Sequence, residues 1–363
     1  MDFRFSTEQQ ELAGAVRRFF AAKAPEAEMR RAMLGELGHD PALWSRMSSE
    51  LGLPGLAIPE QYGGGGFTFL ELGIVLQEMG RALVCAPFFS SAVLAATALL
   101  NSGDENAMAR WLPRIASGEL LATLVLPRHS NVRATAASDG WTLDGVAEFV
   151  IDGVGAELVL VAAQGDDGLA MVGVDAQASG LMRQPVEVFD ATRRVARLEF
   201  AATPGVAIGD VSSGATALER TADLAAIALA TECVGVAERA LEMATDYAKL
   251  REQFGRPIGS FQAIKHRLAT VLVEIEAARS AAWYALWSAT ARPDETPVVA
   301  PLTLATCTET AYLAASENVQ VHGGIGYTWE HPAHLYLRRA TMSRLLLGDP
   351  AEQREALLRR LDY

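Results

Sequence analysis

The sequence predicts an α+β protein of three parts: a helical N-terminal domain (1–121), a small antiparallel β domain (122–210) and a C-terminal four-helix bundle (211–363). In the first and last parts, apolar residues recur at the spacing of helices that bury one face. In the middle part, short β-rich runs are separated by turn signals, and no helical crossovers lie between them. With 363 residues, the chain is long enough for two or three domains with a large buried core.

The composition disfavours several classes of function. The formal net charge is −13, which argues against nucleic acid or an anionic membrane as the main partner. No uncharged apolar run reaches the roughly eighteen residues of a transmembrane helix, and the N-terminus lacks the pattern of a signal peptide. The three cysteines, Cys85, Cys233 and Cys307, are far apart in apolar sequence, which is typical of buried thiols in a reducing compartment. We therefore expect a cytoplasmic protein.

The N-terminal part begins with a helix start signal. Ser6 can cap the first helix, with Gln9 at the capping-box position. The segment 51–66 contains prolines and four consecutive glycines, which exclude regular structure. Because no lysine follows the glycines and no strand precedes them, they do not form a phosphate-binding P-loop. Further helices are predicted over 69–81, 88–100 and 105–117.

The remaining elements follow from the same patterns. Five β-rich runs lie within 122–208 and are separated by turns such as Ser-Asp-Gly and Gly-Asp-Asp-Gly. The last part contains helical segments at 217–251, 261–291, 301–322 and 332–361. The glycine and proline at 255–257 end the first of these, and Ser260 can cap the second.

The break between those two helices, YAKLREQFGRPIGSFQAIKHRLA (247–269), gathers polar side chains in otherwise apolar surroundings. A guanidinium beside helix-end amides suits an anionic phosphate. An ordinary polar turn between two bundle helices explains the spacing equally well.

Three motifs in sequence order resemble those of the acyl-CoA dehydrogenase family. They are LGLPGLAIPEQYGGGG with the following helix that ends in EMGRAL, the stretch 247–269, and VQVHGGIGYTWEHPAHLYLRRA. The resemblance covers essentially the whole chain. It implies a homotetrameric or dimeric flavoenzyme fold that binds FAD between subunits and dehydrogenates acyl-CoA thioesters at the α,β position. It also implies electron-transfer flavoprotein as a partner.

The resemblance further implies that the residues that reach into a neighbouring protomer's FAD site are present. Arg251 would pair with the FAD pyrophosphate. The other members of this set are Gln253, Phe254, Ile258, Gln262, Gln320, Val321, Gly323 and Gly324. A backbone without Cβ can approach a phosphate closely, although two glycines can equally be a simple helix terminator.

The flavin-ring half of the site departs from the family pattern. In the segment that normally carries a threonine, this sequence has Val-Leu-Pro-Arg-His, with Leu126 near the expected place. Where the family has Trp-Ile-Thr, this chain has Phe149, Val150 and Ile151. Aliphatic groups cannot replace the hydrogen bonds of a hydroxyl.

The catalytic base is also absent from the expected positions. The usual glutamate corresponds to Leu347, and the alternative position on the long helix corresponds to Ala225; neither residue can accept a proton. The catalytic residue is therefore unknown. Nearby carboxylates are more simply interpreted as solvated or helix-capping groups. These are Glu219, Asp223, Glu232 and Asp349. His331 and His334, with Glu330, do not predict a metal site, because Pro332 interrupts them and no third ligand is evident.

This selective loss favours one hypothesis. A homomer has no use for half a site, so we expect a subunit of a hetero-oligomeric (α2β2) acyl-CoA dehydrogenase, a form that the family uses in bacterial steroid side-chain catabolism. Two alternatives stay open. One is a stand-alone, homo-oligomeric flavoenzyme with a relocated base, and the other is a structural relative that binds neither FAD nor CoA.

Overall fold

The computed structural model describes residues 6–137 and 140–361. Contacts group the chain into two compact units. The first contains Met1–Arg31, Phe69–Val84 and Ala226–Tyr363, and the second contains Ala32–Thr68 and Cys85–Ala225. The division into domains at 121/122 and 210/211 stays a prediction.

Helical and β segments follow the predicted order of helices, strands and helices. The helices are α1 (Thr7–Lys23), α2 (Glu26–Leu34), α3 (Pro41–Leu51), α4 (Phe69–Ala82), α5 (Ala96–Ser102), α6 (Glu105–Ala116), α7 (Val211–Leu250), α8 (Gln262–Ala291), α9 (Thr296–His322), α10 (Ala333–Leu346) and α11 (Pro350–Arg360). The strands are β1 (Ala122–Val125), β2 (Arg133–Ala137), β3 (Gly140–Ile151), β4 (Leu158–Gly165), β5 (Gly168–Asp175), β6 (Leu181–Val186), β7 (Val195–Ile208), β8 (Glu252–Gln253) and β9 (Arg256–Pro257).

Capping residues were predicted for two helices of the first unit, and the structure confirms one of them. The predicted capping box of α1 is confirmed: the Ser6 hydroxyl accepts from the Gln9 amide, and the Gln9 side chain accepts from the Ser6 amide. The prediction that Ser260 caps α8 is wrong. Its buried hydroxyl has no hydrogen-bond partner among the described residues, and α8 begins after Phe261 without a side-chain cap.

The two C-terminal helical segments also differ from their predicted bounds. Helix α9 starts at Thr296 and not at 301, because a proline in the first turn lacks only an amide that would be unpaired there anyway. The predicted helix over 332–361 is two helices. It breaks at Gly348, whose φ of 108° suits glycine, and Asp349 caps α11 in a capping box with Glu352.

Helices α4 and α7 cross at very short distance in the first unit. A Cβ added at Gly235 would lie 1.9 Å from the Gln77 carbonyl oxygen, and one at Gly80 would lie 2.1 Å from the Glu232 carbonyl oxygen. Glycine is required on both helices for the backbones to approach this closely. By length and composition, residues Thr296–Tyr327 could cross a membrane, but 67% of their most apolar window is buried inside the protein, as in a core helix.

The second unit is built around a seven-stranded sheet in the order β1-β4-β2-β3-β7-β5, with β6 beside β7. Strand β4 also pairs with β5, so the sheet closes on itself around a core of valine, alanine and leucine side chains. The predicted purely antiparallel arrangement is wrong for β4, which runs parallel to β1 and to the end of β2. Strands β1 and β4 can be parallel without a helical crossover, because the hairpin of β2 and β3 lies between them and returns the chain in the same direction.

The glycine-rich loop before α4 has a structural role in the second unit. As predicted, it contains neither α-helix nor strand, only two short 3-10 turns. The Gly65 amide donates to the Gly55 carbonyl, and the Gly66 amide donates to the Ile58 carbonyl. A Cβ at Gly64 would lie 2.0 Å from the Ile58 oxygen. The glycines therefore allow two stretches of backbone to pack together. All three cysteines are buried, as predicted.

Candidate functional site

The predicted phosphate-binding stretch forms a hairpin at the end of α7. Strands β8 and β9 are joined by Phe254 and Gly255, which have φ values of +54° and +76°. Two successive positive φ values are typical of a type I′ turn. Glycine adopts this conformation without strain, but phenylalanine does not. The Phe254 side chain is nevertheless 92% exposed, so the fold holds a large aromatic ring in solvent in a strained conformation.

Arg251 lies at the base of this hairpin with its backbone fixed on both sides. Its amide donates to the Tyr247 carbonyl (2.8 Å), and its carbonyl accepts from the Ile258 amide (2.7 Å). The residue is exposed, and within 6–137 and 140–361 no ion pair engages its guanidinium. By contrast, the Arg256 guanidinium lies 4.0 Å from the centre of the Phe261 ring. Arg251 is therefore an exposed cation on a fixed backbone.

The second predicted segment meets the first at the same end of the first unit. Val321, near the end of α9, is buried against Ala244 and Ala248 of α7, and Ile258 and Ile264 pack on this cluster. The structure thus brings together segments that lie more than fifty residues apart in sequence. Val321 and Ile258 belong to this packing, so their side chains support the surface and do not form it.

The exposed part of this surface consists of the remaining predicted residues. Gly323 ends α9 with φ of +65°, and a Cβ at Gly323 or Gly324 would meet no atom within 4 Å. The two glycines therefore terminate the helix and also leave open space beside an accessible backbone. The exposed predicted side chains are Arg251, Gln253, Phe254, Gln262 and Gln320.

The predicted flavin-ring segments adjoin each other in the second unit. The His129 and Phe149 rings meet edge to face, with centres 5.5 Å apart. A register shift between β3 and β7 places Phe149 at φ of +54° with 45% of its surface exposed. Ile151 is buried, and its carbonyl accepts from the Thr123 hydroxyl at 2.6 Å. The phenyl ring of Phe149 thus stands at the family's tryptophan position, beside an imidazole, and buried Ile151 stands at the family's threonine position.

Carboxylates near the expected base positions are committed to other contacts or lie in solvent. Glu219 is exposed and Asp349 caps a helix, as predicted. The solvated reading is wrong for Asp223 and Glu232, which are both buried. Glu232 pairs with buried Arg339 at 2.5 Å, and a charge can be buried when such a partner is buried with it. The expected base positions hold Ala225, which is buried, and Leu347, which follows α10.

The sequence did not predict that three histidines cluster beside Gly323. His322 stacks on Tyr247 with ring centres 4.3 Å apart, and the ring centre of His331 lies 4.2 Å from that of His322. His334 is buried under Trp329. In the sequence, His331 and His334 were considered only as possible metal ligands. The signal that could have revealed the cluster is the density of aromatic residues in VHGGIGYTWEHPAH.

Two models of one protein family match the N-terminal and C-terminal parts of the chain. Residues 6–119 match the family model described as acyl-CoA dehydrogenase, N-terminal domain, and residues 212–361 match acyl-CoA dehydrogenase, C-terminal domain. The chain is 37% identical over 361 residues to acyl-CoA dehydrogenase IpdE2 of Mycobacterium tuberculosis, and the match covers 98% of this chain and 96% of that protein.

Two solved structures share the fold over nearly the full length. One is the ChsE4-ChsE5 complex from Mycobacterium tuberculosis, with 30% identity and a TM-score of 0.92 over 100% of this chain and 99% of that chain. The other is a variant of the Tcur3481-Tcur3483 steroid ACAD, with 31% identity and a TM-score of 0.90 over 98% of each chain.

Proposed function

This chain belongs to the acyl-CoA dehydrogenase family, and we propose that it is the subunit of a heteromeric enzyme that lends part of an FAD site to a partner chain. Members of this family bind FAD. The observation that carries the proposal is the contrast between two surfaces. The segments that would contact the pyrophosphate and adenosine converge at one end of the first unit, whereas the segments that would hold the flavin ring lack hydrogen-bonding hydroxyls.

The convergent surface fits the phosphate end of FAD. Arg251 supplies a guanidinium with five N–H donors, which suits an anionic pyrophosphate. Gly323 and Gly324 leave room for a close approach to their backbone. Gln253, Gln262 and Gln320 are exposed amides of the same two segments, and Phe254 offers an exposed aromatic ring. When bound, FAD would supply the acceptor for the hydride that leaves the acyl-CoA β-carbon.

The ring segments do not fit the flavin equally well. Leu126, Phe149 and Ile151 can contact a flavin ring by packing, but their side chains offer it no hydrogen bond. The expected base positions hold Ala225 and Leu347, so the α-proton of a substrate would have to be taken by a residue of another chain. The contacts of Glu232 and Asp349 disfavour a relocated base at those positions.

The names of solved relatives support a two-chain assembly. The ChsE4-ChsE5 and Tcur3481-Tcur3483 structures are each named for two different chains. We therefore place a homologous, base-bearing acyl-CoA dehydrogenase chain as the partner. An acyl-CoA thioester is the substrate of the complex, electron-transfer flavoprotein is its electron acceptor, and the cytoplasm is its location.

Replacing Arg251 tests whether this chain contributes residues to an FAD site in a partner chain. We expect Arg251→Ala to reduce the FAD retained by the purified two-chain complex at least tenfold, because a lost charge-assisted hydrogen bond to phosphate costs about 1.5–3 kcal/mol. Bound flavin is measured by absorbance after gel filtration. Arg354→Ala is the matched control, because it removes another exposed arginine of the first unit, paired with Glu309 on α9. Equal FAD content in both variants would contradict the proposal.

Phe254 allows stability and function to be separated. We expect Phe254→Asn to keep or raise the thermal midpoint of the chain, because Asn-Gly is a preferred type I′ loop and relieves strain of roughly 1 kcal/mol. The same variant should lower the FAD content of the complex, since it removes an exposed aromatic ring. The two readouts are differential scanning calorimetry and flavin absorbance. A lower midpoint with unchanged flavin would show that Phe254 serves only the local packing against Phe261.

A further inference from the structure

Three aromatic rings form a stack directly beside the turn that follows α9. Tyr247 and His322 lie nearly parallel, at an interplanar angle of 29°, and the His331 ring is centred 4.2 Å from His322 with a tilt of 39°. The turn Gly323–Tyr327 leaves α9 at His322, and the chain returns to the stack at His331. The stack therefore holds both ends of a turn whose first two residues are the exposed glycines of the proposed FAD site.

Contacts within the turn make its position depend on the stack. A Cβ at Gly326 would lie 3.0 Å from the His322 Cβ and 3.0 Å from the Val319 oxygen, so the turn packs directly on His322. The Thr328 carbonyl accepts from the His331 amide at 3.3 Å. A displacement of His322 or His331 would therefore move the backbone of Gly323 and Gly324 with it.

Hydrogen bonds require a hydrogen on Nδ1 of His322 and none on Nδ1 of His331, so the His331 ring is neutral in this arrangement. His322 Nδ1 lies 2.8 Å from the Asn318 carbonyl oxygen, so Nδ1 must be the donor. His331 Nδ1 accepts from the Ala333 amide at 3.2 Å and so carries no hydrogen. Protonation of His331 at Nδ1 would break this bond, and charging both rings would place two cations 4.2 Å apart.

Other charges around the stack do not offset this cost. Burial lowers the pKa of His322, and burial followed by the neighbouring His322 lowers the pKa of His331. Glu26 favours a charged His331, but Arg30 opposes it and pairs with Glu26 at 2.8 Å. His334 lies outside the relevant range, because burial and Arg338 lower its pKa to about 4.

We propose that His322 and His331 are positioning residues that hold the Gly323–Tyr327 turn for cofactor binding only while both rings are neutral. This inference rests on the proposed function, in which this chain contributes residues to an FAD site of a partner chain. The pKa values of His322 and His331 are lowered while the turn packs on the stack, so protons bind these rings more tightly when the turn has left it. The packed turn is therefore stable above about pH 6.5, the ordinary histidine value, and is lost progressively as the pH falls below it.

The pH dependence of cofactor retention tests the inference in the two-chain complex. We expect wild-type retention of FAD to weaken by up to about tenfold per pH unit on acidification from pH 7 to 5, the most that one proton can contribute. His322→Phe keeps an aromatic ring in the stack but cannot be protonated at this position, so its FAD retention should fall less than that of wild type between pH 7.5 and pH 5. His322→Ala should retain less FAD at both pH values. An unchanged pH dependence in His322→Phe would overturn the proposal.

Amide hydrogen exchange on this chain alone separates the inference from the function on which it rests. After correction for intrinsic exchange rates, residues 323–328 should lose protection between pH 7 and 5 in wild type, and should lose less of it in His322→Phe, in which only His331 can still be protonated. Protection that does not change with pH would overturn the positioning role even if Arg251→Ala releases FAD. Conversely, loss of protection together with an Arg251→Ala complex that keeps its FAD would refute the proposed function.

Discussion

Gly235→Ala is expected to lower the free energy of unfolding of the first unit by about 3 kcal/mol or more. The new methyl would lie 1.9 Å from the Gln77 carbonyl oxygen, 2.8 Å from its carbon and 3.0 Å from the Arg81 amide nitrogen. These are backbone atoms of α4, so no side-chain rotation can relieve the clash. The two helices would have to separate, which would also disturb the reciprocal contact of Gly80 with Glu232. Thermal unfolding followed by circular dichroism measures the effect.

Gly14→Ala is the matched control for this substitution. Gly14 also lies within a helix, and its added Cβ would meet only the guanidinium of Arg18 at 3.2 Å, which can move. Alanine is a better helix former than glycine by about 1 kcal/mol, so the control is expected to be neutral or stabilising. If both variants unfolded at the same temperature as wild type, the close crossing of α4 and α7 would be refuted.

Glu232→Leu should destabilise the chain by about 3–5 kcal/mol, because it leaves the Arg339 guanidinium buried without its carboxylate. Each residue is only 3% exposed, and Nη1 of Arg339 lies 2.5 Å from Oε1 of Glu232. A buried cation whose counter-ion is removed loses the attraction that offset its desolvation. Chemical denaturation of wild type and variant measures the loss.

The double variant Glu232→Leu with Arg339→Met distinguishes a structural pair from a catalytic one. Replacing a whole buried pair with apolar groups of similar size is often neutral, so stability should return to within about 1 kcal/mol of wild type. Turnover of the co-purified complex should return with it, since neither residue is given a chemical role. A double variant that is stable but inactive would support the alternative in which Glu232 is a relocated base.

Much of the fold was predictable because local signals and tertiary packing agree. Ser6 with Gln9 marked the start of α1, and periodicity together with turn signals separated helices from strands. The errors lie where long-range contacts decide. Ser260 has the right residue type for a cap, yet α8 starts one residue too late for it to act. The parallel pairing of β1 with β4 depends on how the intervening hairpin folds, which no local pattern records.

The candidate site was predictable only in part, for a similar reason. The residues around Arg251 and Gly323 were found through motif resemblance, and the structure shows that Ile258 and Val321 of the two segments pack in one cluster. Burial of Glu232 depends on Arg339, which lies more than a hundred residues away in sequence. The stack of His322 on Tyr247 joins α7 to α9, so neither helix shows it alone. Such pairs become visible only when the helices are packed.

We propose that this chain contributes residues to the binding of an FAD whose chemistry takes place in a partner chain. The most direct test is to measure bound flavin and acyl-CoA oxidation for this chain purified alone and for the same chain co-expressed with the product of an adjacent dehydrogenase gene. We predict little flavin and no oxidation for the chain alone, and both flavin and oxidation for the co-purified pair. One FAD per protomer together with acyl-CoA oxidation by the chain alone would contradict the account.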